Sequence, residues 1–117
     1  MSALIYLTQA PTKIGLAGSR QMIQNAVDVS AYRHISLLLE VLAYVGAPGN
    51  FEVTVITGMQ LDTDDGWIEL GTFGSQSTDG QWKVDLTDAL RYIRWEVKAI
   101  TGSSPTITFV ISGVARE

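Results

Sequence analysis

The acidic segment 60–69 holds the side chains best suited to binding a cation. Asp62, Asp64 and Asp65 lie close together in the chain, and Glu69 follows them. Calcium prefers several oxygen ligands gathered in one tight turn, so the three aspartates are weak calcium candidates. The rest of the EF-hand pattern is missing. The favoured interpretation is a solvated hairpin tip in which Asp and Gly serve the turn geometry. We therefore predict no bound metal and no cofactor.

The residue types needed for catalysis are sparse. His34 is the only histidine, and the chain has no cysteine. A Ser-His-Asp site would need a serine and a carboxylate beside His34, and a nucleophile motif such as Gly-x-Ser-x-Gly is missing. A glycosidase-type pair of carboxyl groups in the segment 60–69 would need an apolar pocket that raises the pKa of one of them. A loop tip with three close carboxylates does not favour such a pocket. The sequence therefore predicts a protein that is not an enzyme.

Three tryptophans could stack on sugar rings if their faces were exposed. They are Trp67, Trp82 and Trp95. Aromatic side chains of this size more commonly anchor the core of a small domain. Trp95 shares the apolar side of an alternating segment with Ile93 and Val97, which predicts a core position for it.

About eight short strands must position these residues. Segment 91–99 alternates apolar and polar residues with a period of two, which is a strong strand signal. Segment 34–45 is the longest strand candidate and has one continuous apolar face. Its second face also carries Leu38, Leu42 and Tyr44, so we expect a second sheet, the N-terminal segment or another subunit to cover it. The predicted strands are 3–8, 22–29, 34–45, 51–59, 67–73, 81–85, 91–99 and 106–115, with one helical turn within 86–90.

Regularly spaced short strands with turn signals between them predict an all-β fold. We predict an antiparallel β-sandwich or jelly roll of about eight short strands with an N-terminal arm. Residues 1–21 form the predicted arm and residues 22–117 the predicted single domain. The arm is expected to be mobile or to pack on a neighbouring subunit.

Composition narrows the classes of partner. The chain has 117 residues and a net charge of −4, and it lacks a basic patch, so phosphate-directed binding of nucleic acid is not expected. No apolar run suggests a signal peptide or a membrane span. Charged residues make up 17%, below the usual quarter, which favours a surface partly covered by copies of the chain or by a partner.

Several segments together resemble one group of proteins. The segments are 28–41, 51–56, 65–73, 90–97 and 106–113, and they include Gly66-Trp67-x-x-Leu70 followed by Arg91-Tyr-Ile-Arg94. Over residues 28–115 this pattern is similar to capsid decoration (cement) proteins and related virion components of tailed bacteriophages. The same pattern also resembles galactose-binding-like carbohydrate modules, for which Arg91, Arg94 and Trp67 are the candidate contacts.

The first resemblance implies a non-enzymatic structural protein on the outer capsid surface of a virion. It would bind the major capsid protein or another virion protein and would form a homo-oligomer, with a trimer favoured. The alternative functions are a carbohydrate-binding module and a receptor-binding or fibre component. The candidate interface residues, from the N-terminal segment and the second face of 34–45, are Leu4, Ile5, Tyr6, Leu7, Leu38, Leu42 and Tyr44.

Overall fold

A computed structural model describes residues 2–117 as two antiparallel sheets packed face to face. The predicted antiparallel β-sandwich is thereby confirmed. A single 3-10 turn, Ile23–Asn25, is the helical element of the described chain. The strands are β1 (Ser2–Tyr6), β2 (Thr12–Ile14), β3 (Ser19–Arg20), β4 (Val27–Asp28), β5 (His34–Val45), β6 (Phe51–Gly58), β7 (Ile68–Gln76), β8 (Gly80–Thr87), β9 (Tyr92–Ile100) and β10 (Thr106–Arg116).

The strands interleave between the two sheets. The first sheet has the order β1-β10-β5-β8, and β2 also pairs with β10. The second sheet has the order β3-β9-β6-β7, and β4 also pairs with β9. From β4 onward the chain changes sheet at every connection except the one from β6 to β7. Neighbouring strands in each sheet are therefore mostly distant in sequence.

The core lies between the sheets and is built from alternate residues of the long strands, as the period of two predicts. Its centre includes an edge-to-face contact between Trp95 and Phe109, whose ring centroids are 5.1 Å apart. Phe51 makes similar contacts with Tyr44 at 5.1 Å and Trp82 at 6.0 Å. Such pairs contribute about 0.5–1.5 kcal/mol beyond the area that they bury.

The N-terminal segment belongs to the sandwich itself. β1 pairs with β10 in continuous register from Ser2 opposite Arg116 to Tyr6 opposite Ser112. β2 pairs with β10 as well, and β3 pairs with β9 in the second sheet. Ile5 and Leu7 are buried in the core of their own chain. The described part of the predicted arm therefore packs against its own domain.

Two local predictions differ from the structure. Residues 22–29 were expected as one strand, but they form the 3-10 turn and only the two-residue β4. The helical turn expected within 86–90 is replaced by the end of β8, which continues to Thr87 and inserts Leu86 into the core. Asp88 then takes a positive φ of 62°, which ends the strand. Burial of Leu86 outweighs the weak helical preference of these residues.

A bulge in β5 reverses the expected faces near its end. Val41 lies opposite Phe109 and Ala43 opposite Thr108, so Leu42 is an extra residue on β5. One extra residue shifts the alternation of the side chains that follow. Tyr44 consequently points inward, and its hydroxyl donates a hydrogen bond to the Thr101 carbonyl at 2.7 Å. The prediction that Tyr44 shares a face with Leu38 and Leu42 is wrong.

Candidate interaction surface

The acidic segment forms a folded loop over the second sheet. We call residues 59–67, which join β6 to β7, the cap loop. The Asp64 carboxylate accepts a hydrogen bond from Arg94 at 2.7 Å, and the Thr63 hydroxyl accepts one from the Asp65 backbone N–H at 3.0 Å. Among residues 2–117, no group of three acidic or histidine side chains is placed to hold a metal ion. The structure therefore does not bring the calcium candidates Asp62, Asp64 and Asp65 together as ligands.

Arg94 holds the cap loop on the sheet. Alternation placed this residue on the polar face of β9, yet its side chain is only 2% exposed. Its guanidinium donates hydrogen bonds to the Gln21 carbonyl through two nitrogens and to Asp64 through the third. Burying a charge is costly unless it is paired and hydrogen-bonded, and these partners meet that requirement. Arg20 adds a further bond to the cap loop, from its guanidinium to the Asp64 carbonyl at 2.9 Å.

Trp67 closes the cap loop over a glycine. A Cβ atom at Gly58 would lie 2.6 Å from the Trp67 ring, so only glycine leaves room for the indole. The indole N–H donates to the Thr63 carbonyl at 3.0 Å. The Arg94 guanidinium stacks on the same ring, 4.7 Å from its centroid. A planar guanidinium over an indole is a favourable cation–π arrangement.

The candidate sugar contacts do not form one open site. Trp67 is only 7% exposed, and one of its faces is occupied by Arg94. Arg91 points to solvent, where it pairs with Asp28 at 3.5 Å. Trp95 is buried against Phe109, and Trp82 is partly buried against Phe51. The three tryptophans are thus engaged in packing contacts within the protein.

His34 lies at the exposed start of β5. Its strand neighbours are Thr87 on β8 and Arg116 on β10. Neither directly opposite residue is a serine or a carboxylate, and the Asp88 side chain lines the same hollow as His34.

An apolar area extends across three adjacent strands of the first sheet. We call this area the outer face, and it consists of Leu4, Tyr6, Leu38, Leu42 and Val114. Leu4 lies opposite Val114, while Ser112 connects Tyr6 to Leu38 across β10. Leu4 is 71% exposed and Tyr6 53% exposed, and Leu38 and Leu42 are also exposed. Leu4, Tyr6, Leu38 and Val114 border a shallow groove lined mainly by apolar atoms, and Leu42 lies farther along β5, beyond Glu40.

The outer face contains four of the seven predicted interface residues. Leu4, Tyr6, Leu38 and Leu42 lie on it, whereas Ile5 on β1, Leu7 just after β1 and Tyr44 on β5 point into the core. The sequence analysis did not select Val114. Its signal was an apolar residue on the mostly polar face of the segment 106–115, which also carries Val110.

A polar border lies beside the outer face on β5 and β8. The Ser36 hydroxyl donates a hydrogen bond to the Asp85 carboxylate at 2.7 Å, and Arg116 donates one to the Ser36 oxygen at 3.1 Å. Lys83 pairs with Asp85 at 3.5 Å. An apolar centre with a polar rim is the usual anatomy of a protein–protein interface.

The Asp85 carboxylate gives this border a measurable pH dependence. The pKa of Asp85 lies below its ordinary value. The main cause is the hydrogen bond from the Ser36 hydroxyl, and the charges of Lys83 and Arg116 contribute. A depressed pKa gives stability that is present above the pKa of the unfolded state and lost as pH falls through the folded value.

We expect Ser36→Ala to raise the Asp85 pKa, measured by NMR titration of its carboxyl carbon. The Asp28 pKa serves as the control, and equal midpoints for Asp85 in both proteins would contradict the assignment.

Comparisons with family models, with curated proteins and with solved structures found no match to this chain. Within residues 2–117, no helix has the length and apolar character needed to cross a membrane.

Proposed function

We propose that this protein is a non-enzymatic structural component of a tailed-phage virion, most specifically a capsid decoration protein. The observation that carries the proposal is the outer face, an exposed apolar area on a well-packed sandwich. Contiguous exposed apolar surface rimmed by polar residues is typical of protein–protein contact sites. Sheet residues also present such a surface with little loss of conformational freedom on binding.

The resemblance of residues 28–115 supports the same function. Its five segments fall largely on β4, β5, β6, β7, β9 and β10. The interleaved strand order supports a jelly-roll interpretation of the sandwich, because in that fold successive strands alternate between two four-stranded sheets. The shorter strands β2 and β4 add to the edges of this pattern.

The mechanism would be mechanical. Copies of the sandwich would sit over junctions between major capsid protein subunits, or on another virion protein, and add buried contact area. Each buried apolar Å² contributes about 25 cal/mol, from which association costs must be subtracted. Single contacts can therefore be weak, while their sum around a shell opposes its expansion or rupture. The protein would act as a homo-oligomer on the outer capsid surface, for which the sequence favoured a trimer.

Purification of virions from a culture that expresses this chain tests the proposed function. The chain should sediment with intact particles in a density gradient, and antibodies against it should label the outside of the head. The free protein, added to a gradient without particles, is the control for sedimentation by itself. A chain that is expressed but stays at the top of the gradient would overturn the proposal. Label on tail fibres would instead favour the fibre alternative.

The outer face can be tested with the double substitution Leu38→Asp and Leu42→Asp. We expect the fold to survive, because both side chains point to solvent. Self-association or particle binding should weaken at least about tenfold, because the contact would bury the new charges without partners. The control is Leu16→Asp with Ile68→Asp, which places two charges at still more exposed apolar residues outside the outer face. Native mass and particle binding provide the measurements. Equal loss in both double variants, or none in either, would contradict the role of the outer face.

The carbohydrate-binding alternative receives no support from the site geometry. The Trp67 and Arg94 side chains contact each other, and the remaining tryptophans pack against Phe51 and Phe109.

A further inference from the structure

The first sheet has an open edge at β1. β1 pairs with β10 along Ser2–Tyr6, and no strand within residues 2–117 pairs with its other side. β2 also pairs with the side of β10 that β1 occupies, but at a different place along it, opposite residues 107–109. The open edge therefore borders the outer face directly, since Leu4 and Tyr6 belong to both.

The backbone of β1 alternates between its partner and the open edge. The Leu7 N–H donates to the Ile111 carbonyl at 3.0 Å, which continues the β1–β10 register by one residue. In an antiparallel pair, both polar backbone groups of a residue point to the same side, and the side alternates along the strand. Ile5 and Ala3 therefore bond with β10, while the N–H and C=O groups of Ser2, Leu4 and Tyr6 point to the open edge.

The open edge of β1 lacks the features that normally prevent edge pairing. Charged residues, bulges and short length protect edge strands in natural sheets. β8 carries Lys83 and Asp85, β2 carries Lys13, and β3 and β4 have two residues each. β7 pairs with β6 through two register shifts. β1 has the sequence Ser-Ala-Leu-Ile-Tyr, with no charge, no proline and no shift in register.

We propose that β1 is a docking edge for a second copy of this chain. The two β1 strands would pair antiparallel about a two-fold axis at Leu4. In this register, Leu4 of each copy lies opposite Leu4 of the other, and Tyr6 lies opposite Ser2. Ile5 lies opposite Ala3 on the inner side. Tyr6 and Ile5 thus each meet a small residue, the two Leu4 side chains meet each other, and the bonded pairs use the backbone groups of Ser2, Leu4 and Tyr6 that point outward.

This pairing would join the two outer faces into one larger apolar surface. Leu4 of both copies would lie at its centre, and Leu38, Leu42 and Val114 of each copy would flank it. A two-fold contact of this kind builds dimers or even-numbered assemblies, whereas a trimer requires a different, heterologous contact. The inference replaces the trimer that the resemblance favoured with a two-fold assembly. It holds or fails independently of the virion function, because it concerns only how copies of the chain meet.

Two substitutions of one residue separate edge pairing from contact through side chains. Leu4→Ala and Leu4→Pro both remove the leucine side chain, but only proline also removes the outward N–H. Proline is tolerated in an edge strand where its N–H would face away from the sheet. We expect the wild-type chain to be a dimer by sedimentation equilibrium. We also expect the dimer dissociation constant of Leu4→Pro to exceed that of Leu4→Ala at least about tenfold, since the symmetric pair loses two hydrogen bonds.

Equal dissociation constants for the two variants would overturn the proposal, as would a wild-type monomer or trimer. Amide hydrogen exchange of the wild-type chain provides a second test that does not depend on the folding of the proline variant. Exchange at Leu4 and Tyr6 should slow as protein concentration rises through the dissociation constant, while Ile5 stays protected throughout. Exchange at Leu4 and Tyr6 that does not change with concentration would contradict edge pairing, whatever the virion experiments show.

Discussion

Replacing Arg94 with alanine is expected to lower the free energy of unfolding by about 2–4 kcal/mol, because it leaves the buried Gln21 carbonyl without its donors and removes the cation–π contact with Trp67. Three consequences add together. The Gln21 carbonyl loses both of its guanidinium donors, and the Asp64 carboxylate loses its 2.7 Å partner. The Trp67 ring also loses the group stacked on its face. We expect the cap loop to detach before the sandwich unfolds.

Urea unfolding monitored by circular dichroism measures this effect, and the NMR signal of the Trp67 indole N–H, which donates to the Thr63 carbonyl, provides a local probe. The matched control is Arg91→Ala, which removes an exposed arginine from the same strand region and should cost no more than about 1 kcal/mol. Asp64→Asn should also have a small effect, since Asp64 is exposed and an amide oxygen can still accept from Arg94. If Arg94→Ala and Arg91→Ala reduce stability equally, Arg94 does not anchor the cap loop.

Replacing Phe109 with alanine is expected to cost about 3–5 kcal/mol through lost burial and the cavity that remains. Phe109 is fully buried on β10, and its ring contacts Trp95 on the opposite sheet edge to face. The substitution therefore weakens the packing between the two sheets at their centre. Near-ultraviolet circular dichroism should lose intensity, because Trp95 gains freedom to rotate.

Phe109→Leu is the conservative control for this position. It keeps most of the apolar volume and should cost clearly less than the alanine variant. Both variants are measured by the same urea titration, with the denaturation slope checked for two-state behaviour. A loss below about 1 kcal/mol for Phe109→Ala would show that the Trp95–Phe109 contact is not central to the core.

Alternate residues of the first sheet contribute either to the core, and so to stability, or to the outer face, where contacts with other molecules would form. On β5, Leu37 and Leu39 are buried in the core, while Leu38 between them belongs to the outer face. Substitutions at alternate positions of one strand should therefore affect either the free energy of unfolding or the association of copies. This separation makes the outer-face variants interpretable, since a loss of association need not follow from a loss of fold.

The sequence by itself determined the fold class and most long strands. Apolar alternation predicted β5 at His34–Val45, where the structure has it, and β6 and β9 within one residue at each end. It also predicted Trp95 as a core residue and placed Leu38 and Leu42 on the face of β5 opposite to the core residues Leu37 and Leu39. These predictions succeed because the period of two and the burial of one face are local properties of a strand.

Tertiary contacts decided the rest. The extra residue Leu42 turns Tyr44 inward. The position of this bulge depends on pairing with β10, which lies more than sixty residues later in the chain. Arg94 is buried only because the cap loop folds onto β9, which no alternation pattern can indicate. The outer face likewise exists only because β10 lies between β1 and β5. Alternation assigns a side chain to one of two faces, but strand order, register and loop packing determine what each face meets.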